Sequence, residues 1–193
     1  NPIRLARYLL EQDAHVMLAG EGARRLGLQL GHAPAVLATP AKIDYWRDHL
    51  DEACRDLDYA AMAAAWKSEN PRLGTVGCVA LDAHGRLAAA TSTGGTGQCY
   101  PGRVGDSPVI GAGTYCTAQV AVSMTGVGER ILVLLSAKRL CDLVAEGQGV
   151  EAAGQAVLRE IEAMRSSAGL IALDVRGATV ALRNTRFMSW AER

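Results

Sequence analysis

Apolar residues recur at helical spacing over much of the first seventy positions of the chain. Asn1 before Pro2 is typical of a helix start, because asparagine caps free amide groups and proline fits the first helical position. Residues 41–68 are charged and rich in alanine with one apolar stripe, and Asn70-Pro71 then interrupts the helical pattern. The elements predicted for this part are helices over 2–12, 20–30 and 41–68 and a short strand over 16–19.

The pattern changes at Gly74, where helical spacing gives way to short apolar runs separated by turn residues. The runs TVGCVALD (75–82) and RLAAATST (86–93) flank a hairpin turn at 82–85, and a glycine-rich loop follows over 94–113. Beyond the loop, the pattern predicts strands over 119–124, 169–174 and 179–184 and helices over 127–146 and 150–164. This order indicates an α+β fold, in which helices pack on the outer faces of antiparallel sheet.

Composition narrows the class of protein. The 193 residues include 20 Lys+Arg and 20 Asp+Glu, so the chain lacks the basic excess usual in phosphate binding, and we expect no nucleic-acid partner. No apolar run reaches the ~20 residues of a membrane helix, so we expect no membrane partner. The opening residues show no signal-peptide pattern, and we therefore expect a cytoplasmic protein.

Cysteine and histidine suggest neither a disulfide framework nor a metal site. The cysteines are odd in number and widely spaced, which is typical of reduced thiols, and we expect most of them to be buried as small apolar groups. The histidines are scattered and predict structural or exposed positions. These residues are Cys54, Cys78, Cys99, Cys116 and Cys141, and His15, His32, His49 and His84.

Four short motifs between Gly74 and Gly128 concentrate the residue types of a reaction site. They are GTVG at 74–77, TSTGG at 91–95, GRVGDSP at 102–108 and TGVGE at 125–129. Twelve of the 21 glycines lie in this stretch, where main chain must approach a substrate closely or carry strain. Each motif alone has an ordinary structural interpretation, such as a strand threonine, a surface ion pair or a plain loop.

In combination, the motifs resemble the plant-type L-asparaginase/isoaspartyl peptidase family, a branch of the N-terminal-nucleophile hydrolases. Residues 1–23 are similar to the end of that family's α-subunit, and residues 169–190 match more loosely. The resemblance implies a four-layer αββα sandwich of antiparallel sheets covered by helices, with the family's N-terminal strand region missing from this chain. Residues 1–74 would be the C-terminal part of the α-subunit with its linker, and residues 75–193 the β-subunit, together forming a single domain.

The resemblance also implies an autoprocessing threonine hydrolase. Family members cut their own backbone before a threonine, which here would be the bond between Gly74 and Thr75. The Thr75 hydroxyl would be the nucleophile, and its new α-amine, with an ordinary pKa of about 7.7–8.0, would be the base. Gly74 is expected to hold a strained conformation that a Cβ would resist.

Further roles carry over to matching positions of the motifs. Thr93 would hydrogen-bond to the Thr75 hydroxyl and polarise it, while Thr125 and the amide of Gly126 would donate to the developing oxyanion. The implied substrate-binding residues are Arg103 for the α-carboxylate, Asp106 for the α-ammonium group and Gly128 for close approach of the substrate.

The implied substrates are small molecules, namely L-asparagine and β-aspartyl (isoaspartyl) dipeptides. The resemblance implies a homodimer of αβ units that requires no cofactor, and it allows an alkali-metal ion, Na⁺ or K⁺, near the glycine-rich loops. Two alternatives stay open: an aspartylglucosaminidase-like amidase, and a catalytically inactive or uncleaved homologue that keeps the fold as a binding unit. Val127 stands where the family motif has threonine, which bears on the substrate range.

Overall fold

The computed structural model describes residues 1–36, 38–41, 43–44, 74–97 and 99–193. The chain divides into two compact units, residues 1–63 and residues 64–193. Most of the helix predicted over 41–68 lies outside the described residues.

Within residues 1–36 of the first unit, two helices match the helical pattern of the sequence. Helix α1 spans Pro2–Gln12, and the Asn1 side chain accepts a hydrogen bond from the Ile3 amide at 3.2 Å, as a helix cap does. Helix α2 spans Gly20–Gln29. The strand predicted over 16–19 is wrong: these residues form no strand and their apolar side chains are exposed. An apolar run becomes a strand only where another strand pairs with it, which the run itself does not encode.

The described part of the second unit opens with an antiparallel strand pair that carries the first two motifs. Strand β1 spans Thr75–Leu81 and strand β2 spans Leu87–Thr93. Asp82 accepts hydrogen bonds from the amides of His84 and Arg86 in the connecting turn, and Gly85 has a φ of +75° that favours glycine. The register of this hairpin places Thr75 directly opposite Thr93.

A four-stranded antiparallel sheet follows, in the order β3-β4-β5-β6. Its strands are β3 Thr114–Cys116, β4 Val120–Gly126, β5 Ala168–Asp174 and β6 Thr179–Arg183. Sequence reasoning missed β3, because three residues are too few to show an alternating pattern. The other three strands were predicted within two residues of their ends.

Helices α3 Gly128–Leu134, α4 Ser136–Ala145 and α5 Val150–Ala163 complete the unit. The single helix predicted over 127–146 is wrong, because Leu135 adopts a left-handed conformation with φ 47° and ψ 52° that separates α3 from α4. The break lets two amides at the start of α4 donate to loop carbonyls: Ala137 to Ala112 at 3.0 Å and Lys138 to Gly111 at 2.8 Å. Tertiary hydrogen bonds therefore replace helical ones at this point.

The hydrophobic core lies between one face of the four-stranded sheet and helices α4 and α5. Val122 and Met124 of β4 pack there with Leu140 of α4 and Ile161 of α5, and all four are at most 1% exposed. Side chains alternate along a strand, so Ser123, between Val122 and Met124, points to the opposite face of the sheet. On that face, β1 and β2 contact β4. The unit is thus a mixed α+β arrangement in which the strand pair and the helices cover opposite faces of one sheet.

The burial of the cysteines differs from what the sequence predicts. Among the four in the described residues, all are free thiols; Cys141 is buried, Cys99 is half-buried, and Cys78 and Cys116 are exposed. The expectation that most are buried is wrong here, because alternate positions of β1 and of the short edge strand β3 face outward. Separately, the described helices include none that is both long and apolar enough to cross a membrane.

Candidate active site

The hydroxyls of Thr75 and Thr93 meet at the end of the strand pair. Thr75 begins β1 and Thr93 ends β2, and because they are opposite in register, the Thr75 Oγ1 donates to the Thr93 Oγ1 at 3.4 Å. The Thr93 hydroxyl in turn donates to the main-chain carbonyl oxygen of Gly74 at 3.1 Å. One threonine therefore contacts both the hydroxyl of Thr75 and the carbonyl that precedes it.

The hydrogen bonds around Thr93 use the full capacity of its hydroxyl. A hydroxyl has one proton to donate and two lone pairs to accept with. Thr93 donates to the Gly74 carbonyl, and it accepts from Thr75 and from the Gly95 amide, the latter at 3.1 Å. The Gly95 bond fixes the hydroxyl from the side of the glycine-rich loop, which orients its proton toward the carbonyl.

The strain expected at Gly74 stays a prediction, because the residue before it lies outside the described part of the chain. No atom of the described residues lies within 4 Å of the place where a Cβ on Gly74 would stand. The observed geometry at the Gly74–Thr75 bond is the hydrogen bond from Thr93 to the Gly74 carbonyl.

Arg103 lies in a mostly buried position, with its side chain only 17% exposed, and forms an ion pair with Glu129 at the start of α3. The Nε of Arg103 donates to Oε1 of Glu129 at 2.9 Å. This hydrogen bond raises the pKa of Arg103 against the opposing effect of burial. For Glu129, burial alone would raise the pKa, but the bond from Arg103, a main-chain hydrogen bond and the charges of Arg103 and Arg130 together outweigh burial and hold the pKa below its usual value.

Asp106 is the buried carboxylate of the site. It is 7% exposed, and its Oδ2 atom has no hydrogen-bond partner among the described residues. Burial raises the pKa of Asp106, and the nearby positive charge of Arg103 offsets this only in part. A buried carboxylate without a donor is costly, so a cationic group that reached this oxygen would gain a strong interaction.

Two glycines make room for the Asp106 carboxylate. A Cβ on Gly113 would stand 2.7 Å from Oδ2, and one on Gly128 would stand 2.8 Å from Oδ1 and 2.7 Å from the Nη2 of Arg103. Any larger residue at either position would displace these charged groups. The glycine at 128 therefore brings the arginine, the aspartate and the first turn of α3 together.

The end of β4 places Thr125 and Gly126 close to the start of α3. Thr125 pairs with Gly169 of β5, and Gly126 has a φ of +153°, a conformation that side chains rarely adopt. A Cβ on Gly126 would also lie 2.5 Å from the carbonyl oxygen of Ser167, so only glycine fits this position. From here the chain leaves the sheet and enters α3 through Val127.

Six of the eight predicted site residues thus fall into two groups of contacts, and Thr125 and Gly126 belong to neither. Thr75, Thr93 and the Gly74 carbonyl are joined by hydrogen bonds, while Arg103, Asp106 and Gly128 lie against one another. The sequence analysis overlooked Glu129 although it belongs to the TGVGE motif, because an acidic residue in the first turn of a helix has an ordinary explanation in the helix dipole. The first group can deliver a hydroxyl to a polarised amide, and the second can hold a charged ligand.

Comparisons with known proteins identify the family of the chain. The family model described as Asparaginase matches residues 1–193. The isoaspartyl peptidase of Escherichia coli K12 is 40% identical over 194 residues, which cover 97% of this chain and 60% of that protein. The plant-type L-asparaginase of Pyrococcus horikoshii is 34% identical over 196 residues, covering 99% of this chain and 64% of that protein.

A mammalian relative extends the comparison. The isoaspartyl peptidase/L-asparaginase of Mus musculus is 38% identical over 193 residues, which cover 99% of this chain and 57% of that protein. The chain therefore spans about three fifths of the length of these curated relatives. Because the family model matches the sequence from its first residue to its last, the chain belongs to the asparaginase family.

Proposed function

We propose that this chain is an autoprocessing amidohydrolase that cuts its own Gly74–Thr75 bond and then hydrolyses L-asparagine and β-aspartyl dipeptides. The observation that carries the proposal is the hydroxyl of Thr93, which contacts both the Thr75 hydroxyl and the Gly74 carbonyl. The names of the relatives, which include isoaspartyl peptidases and L-asparaginases, support the choice of substrates.

Self-cleavage would begin with the Thr75 hydroxyl, whose oxygen attacks the carbonyl carbon of Gly74. The bond from that carbon to the Thr75 nitrogen then breaks, and the hydroxyl proton moves to the nitrogen. The resulting ester joins Gly74 to the Thr75 oxygen, and water hydrolyses it to a Gly74 carboxylate and a free Thr75. Because Thr93 donates to the Gly74 carbonyl oxygen, it would stabilise the negative charge that develops there.

The freed Thr75 would carry both the nucleophile and the base of the second reaction. Its α-amine takes the hydroxyl proton as the oxygen attacks the side-chain carbonyl of asparagine, and it returns the proton to the departing ammonia. The product is a β-aspartyl ester on Thr75. Water activated by the same amine then hydrolyses this ester and releases aspartate. With a β-aspartyl dipeptide, the leaving group is the amine of the second amino acid.

Substrate recognition would use the two charges at the α-carbon of the aspartyl unit. The α-ammonium group satisfies the Asp106 oxygen that has no described partner, and the α-carboxylate binds the Arg103 guanidinium. Glu129 holds the Nε edge of that guanidinium and so sets its orientation. Because Gly128 has no side chain, both charged groups fit against the first turn of α3. Thr125 and the Gly126 amide would donate hydrogen bonds to the oxyanion that develops on the substrate.

The family also supports finer features as proposals. We propose a four-layer αββα sandwich, with residues 1–74 and 75–193 as parts of one domain, and a homodimer of αβ units. An alkali-metal ion near residues 94–113 stays a proposal as well. The described residues contain no cluster of three His, Cys, Asp or Glu suited to a metal, so such an ion would rest on main-chain oxygens. No step of the proposed reaction depends on it.

The test follows the mass of the purified chain during incubation and the release of ammonia from L-asparagine. We expect wild type to yield fragments 1–74 and 75–193, whereas Thr75→Ala stays whole and inactive. Thr179→Ala, which removes an exposed hydroxyl on β6, is the matched control and should cleave like wild type. Cleavage or ammonia release by Thr75→Ala would refute the proposal. An uncut wild type without activity would favour the alternative of a non-catalytic homologue.

A further inference from the structure

Three hydroxyl side chains meet between the strand pair and the four-stranded sheet, outside the groups described above. Thr91 of β2 lies 2.6 Å, oxygen to oxygen, from Ser123 of β4, and the Thr114 hydroxyl of β3 donates to the Thr91 oxygen. Thr91 also donates to the main-chain carbonyl of Gly113 at 3.2 Å. We call Thr91, Thr114 and Ser123 the hydroxyl cluster.

Thr91 is the centre of the hydroxyl cluster. Its one proton goes to the Gly113 carbonyl, and its two lone pairs accept from Ser123 and Thr114, so its hydroxyl is fully used. Ser123 is 3% exposed and therefore has little access to water as a substitute partner. Such a saturated set favours one arrangement of its side chains, because displacing Ser123 breaks a hydrogen bond that water has little access to replace.

Gly77 gives β1 its close approach to the hydroxyl cluster. It stands opposite Thr91 in the hairpin register, and a Cβ added to it would overlap the Ser123 hydroxyl and lie 2.8 Å from the Ser123 Cβ. The second glycine of the GTVG motif is thus explained by this contact. Gly77 lies two residues after Thr75 in β1. Its contact with Ser123 therefore fixes how closely this end of β1 packs against the four-stranded sheet.

The hydroxyl cluster also reaches the loop that carries Asp106. Thr91 holds the Gly113 carbonyl, and the Gly113 amide donates to the Asp106 carbonyl at 3.1 Å. The Thr114 oxygen also lies 3.5 Å from the Ser107 carbonyl oxygen of the same loop, a contact rather than a second hydrogen bond, because its one proton goes to Thr91. On its other side, Thr91 lies two residues before Thr93, on the same face of β2. The cluster therefore connects the strands of the nucleophile to the loop of the buried carboxylate.

We propose that Thr91 is a positioning residue that sets the distance between the Thr75 hydroxyl and the Asp106 carboxylate. This inference rests on the proposed function, in which a substrate anchored at Asp106 must present its carbonyl to Thr75. Loss of the Thr91 hydroxyl leaves both anchoring groups in place but lets the strand pair and the loop move independently. The substrate then still binds, while its carbonyl is misaligned with the nucleophile.

The first experiment compares Thr91→Val, which keeps the shape but loses the hydroxyl, with Thr91→Ser, which keeps the hydroxyl. For Thr91→Val we expect kcat per cleaved chain to fall by roughly 10- to 100-fold while KM changes by less than about threefold, because misplacement by about 1 Å has such an effect on rate. Thr91→Ser should restore most of kcat. Thr179→Val, an exposed β6 position, is the control. Unchanged kcat in Thr91→Val would overturn the inference.

The second experiment does not need activity, so it separates this inference from the proposed function. Hydrogen exchange followed by mass spectrometry should show faster exchange in residues 104–113 of Thr91→Val than of wild type, with residues 179–183 unchanged. Equal acceleration in both segments would show a general loss of stability and overturn the inference. If wild type releases no ammonia, the proposed function fails. In that case, faster exchange in residues 104–113 with residues 179–183 unchanged still tests whether Thr91 positions the Asp106 loop. If Thr91→Val does not fold, Ser123→Ala takes its place in both experiments.

Discussion

Gly113 offers the sharpest test of how the site is packed, because its missing side chain leaves room for Asp106. A Cβ at this position would stand 2.7 Å from Oδ2 of Asp106 and 2.8 Å from both the main-chain carbon and oxygen of that residue. The carboxylate could rotate away, but the main chain could not. It is held by the amides of Val109 and Gly113, which donate to the Asp106 carbonyl at 3.0 and 3.1 Å.

Gly113→Ala must therefore move the Asp106 loop or break its hydrogen bonds. Overpacking of a tight site costs about 1–3 kcal/mol, and a lost hydrogen bond costs about 1 kcal/mol more. Together we expect a loss of about 2–4 kcal/mol in the free energy of unfolding, which corresponds to a decrease in Tm of roughly 5–15 °C for a chain of this size. Under the proposed function, the affinity for L-aspartate should also fall by about 10- to 100-fold.

The assays are thermal unfolding by circular dichroism and titration with L-aspartate. Gly94→Ala is the matched control, because no described atom lies within 4 Å of its Cβ position and its φ is not positive. That variant should unfold within about 2 °C of wild type, since a glycine-to-alanine change at a compatible site has a small effect. A Gly113→Ala protein with the same Tm as the Gly94→Ala control would refute the packing argument.

Three other predictions rest on separate features. The raised pKa of Asp106 means that its ionised form opposes folding, so Asp106→Asn should raise Tm near pH 7. In thermal unfolding measured across pH, this gain should disappear below the pH at which an ordinary carboxyl group is protonated. Burial raises the pKa of Cys141 to about 12, so iodoacetamide at pH 8 should label the exposed Cys78 at least about 100-fold faster than Cys141. Peptide mass spectrometry measures both rates, and equal rates would contradict the burial of Cys141. Leu135→Gly should raise the free energy of unfolding by about 0.5–1 kcal/mol, because glycine adopts the left-handed conformation without strain; a lower denaturation midpoint in urea would show that the leucine contacts matter more.

Local sequence patterns were sufficient to predict the helices and turns that are stabilised by residues close in the chain. The helix Pro2–Gln12 is capped by Asn1, and the hairpin Thr75–Thr93 turns at Asp82 and Gly85, as their capping and turn residues predict. Features that depend on distant partners were missed. The short strand Thr114–Cys116 exists because β4 pairs with it, and the helix break at Leu135 accompanies hydrogen bonds to the Gly111 and Ala112 carbonyls.

The candidate site shows the same division. Its motifs could be read from the sequence, since GTVG, TSTGG, GRVGDSP and TGVGE are contiguous and distinctive. The partner of Arg103 could not, because Glu129 is 26 positions away and only the packing of α3 against the loop brings them together. The hydrogen bond from the Thr93 hydroxyl to the Gly74 carbonyl likewise joins residues 19 positions apart, which no local pattern specifies.

The sequence by itself determined the family, the α+β class and the residues that could carry the chemistry, because these depend on residue types and short spacings. Only the tertiary structure decided how those residues are related. The Thr75–Thr93 contact follows from hairpin register, and the hydroxyl cluster follows from the packing of two sheets. Burial leaves the Asp106 oxygen without a hydrogen-bond partner among the described residues. Such relations are distances between residues far apart in the chain, and no local preference of an amino acid specifies them.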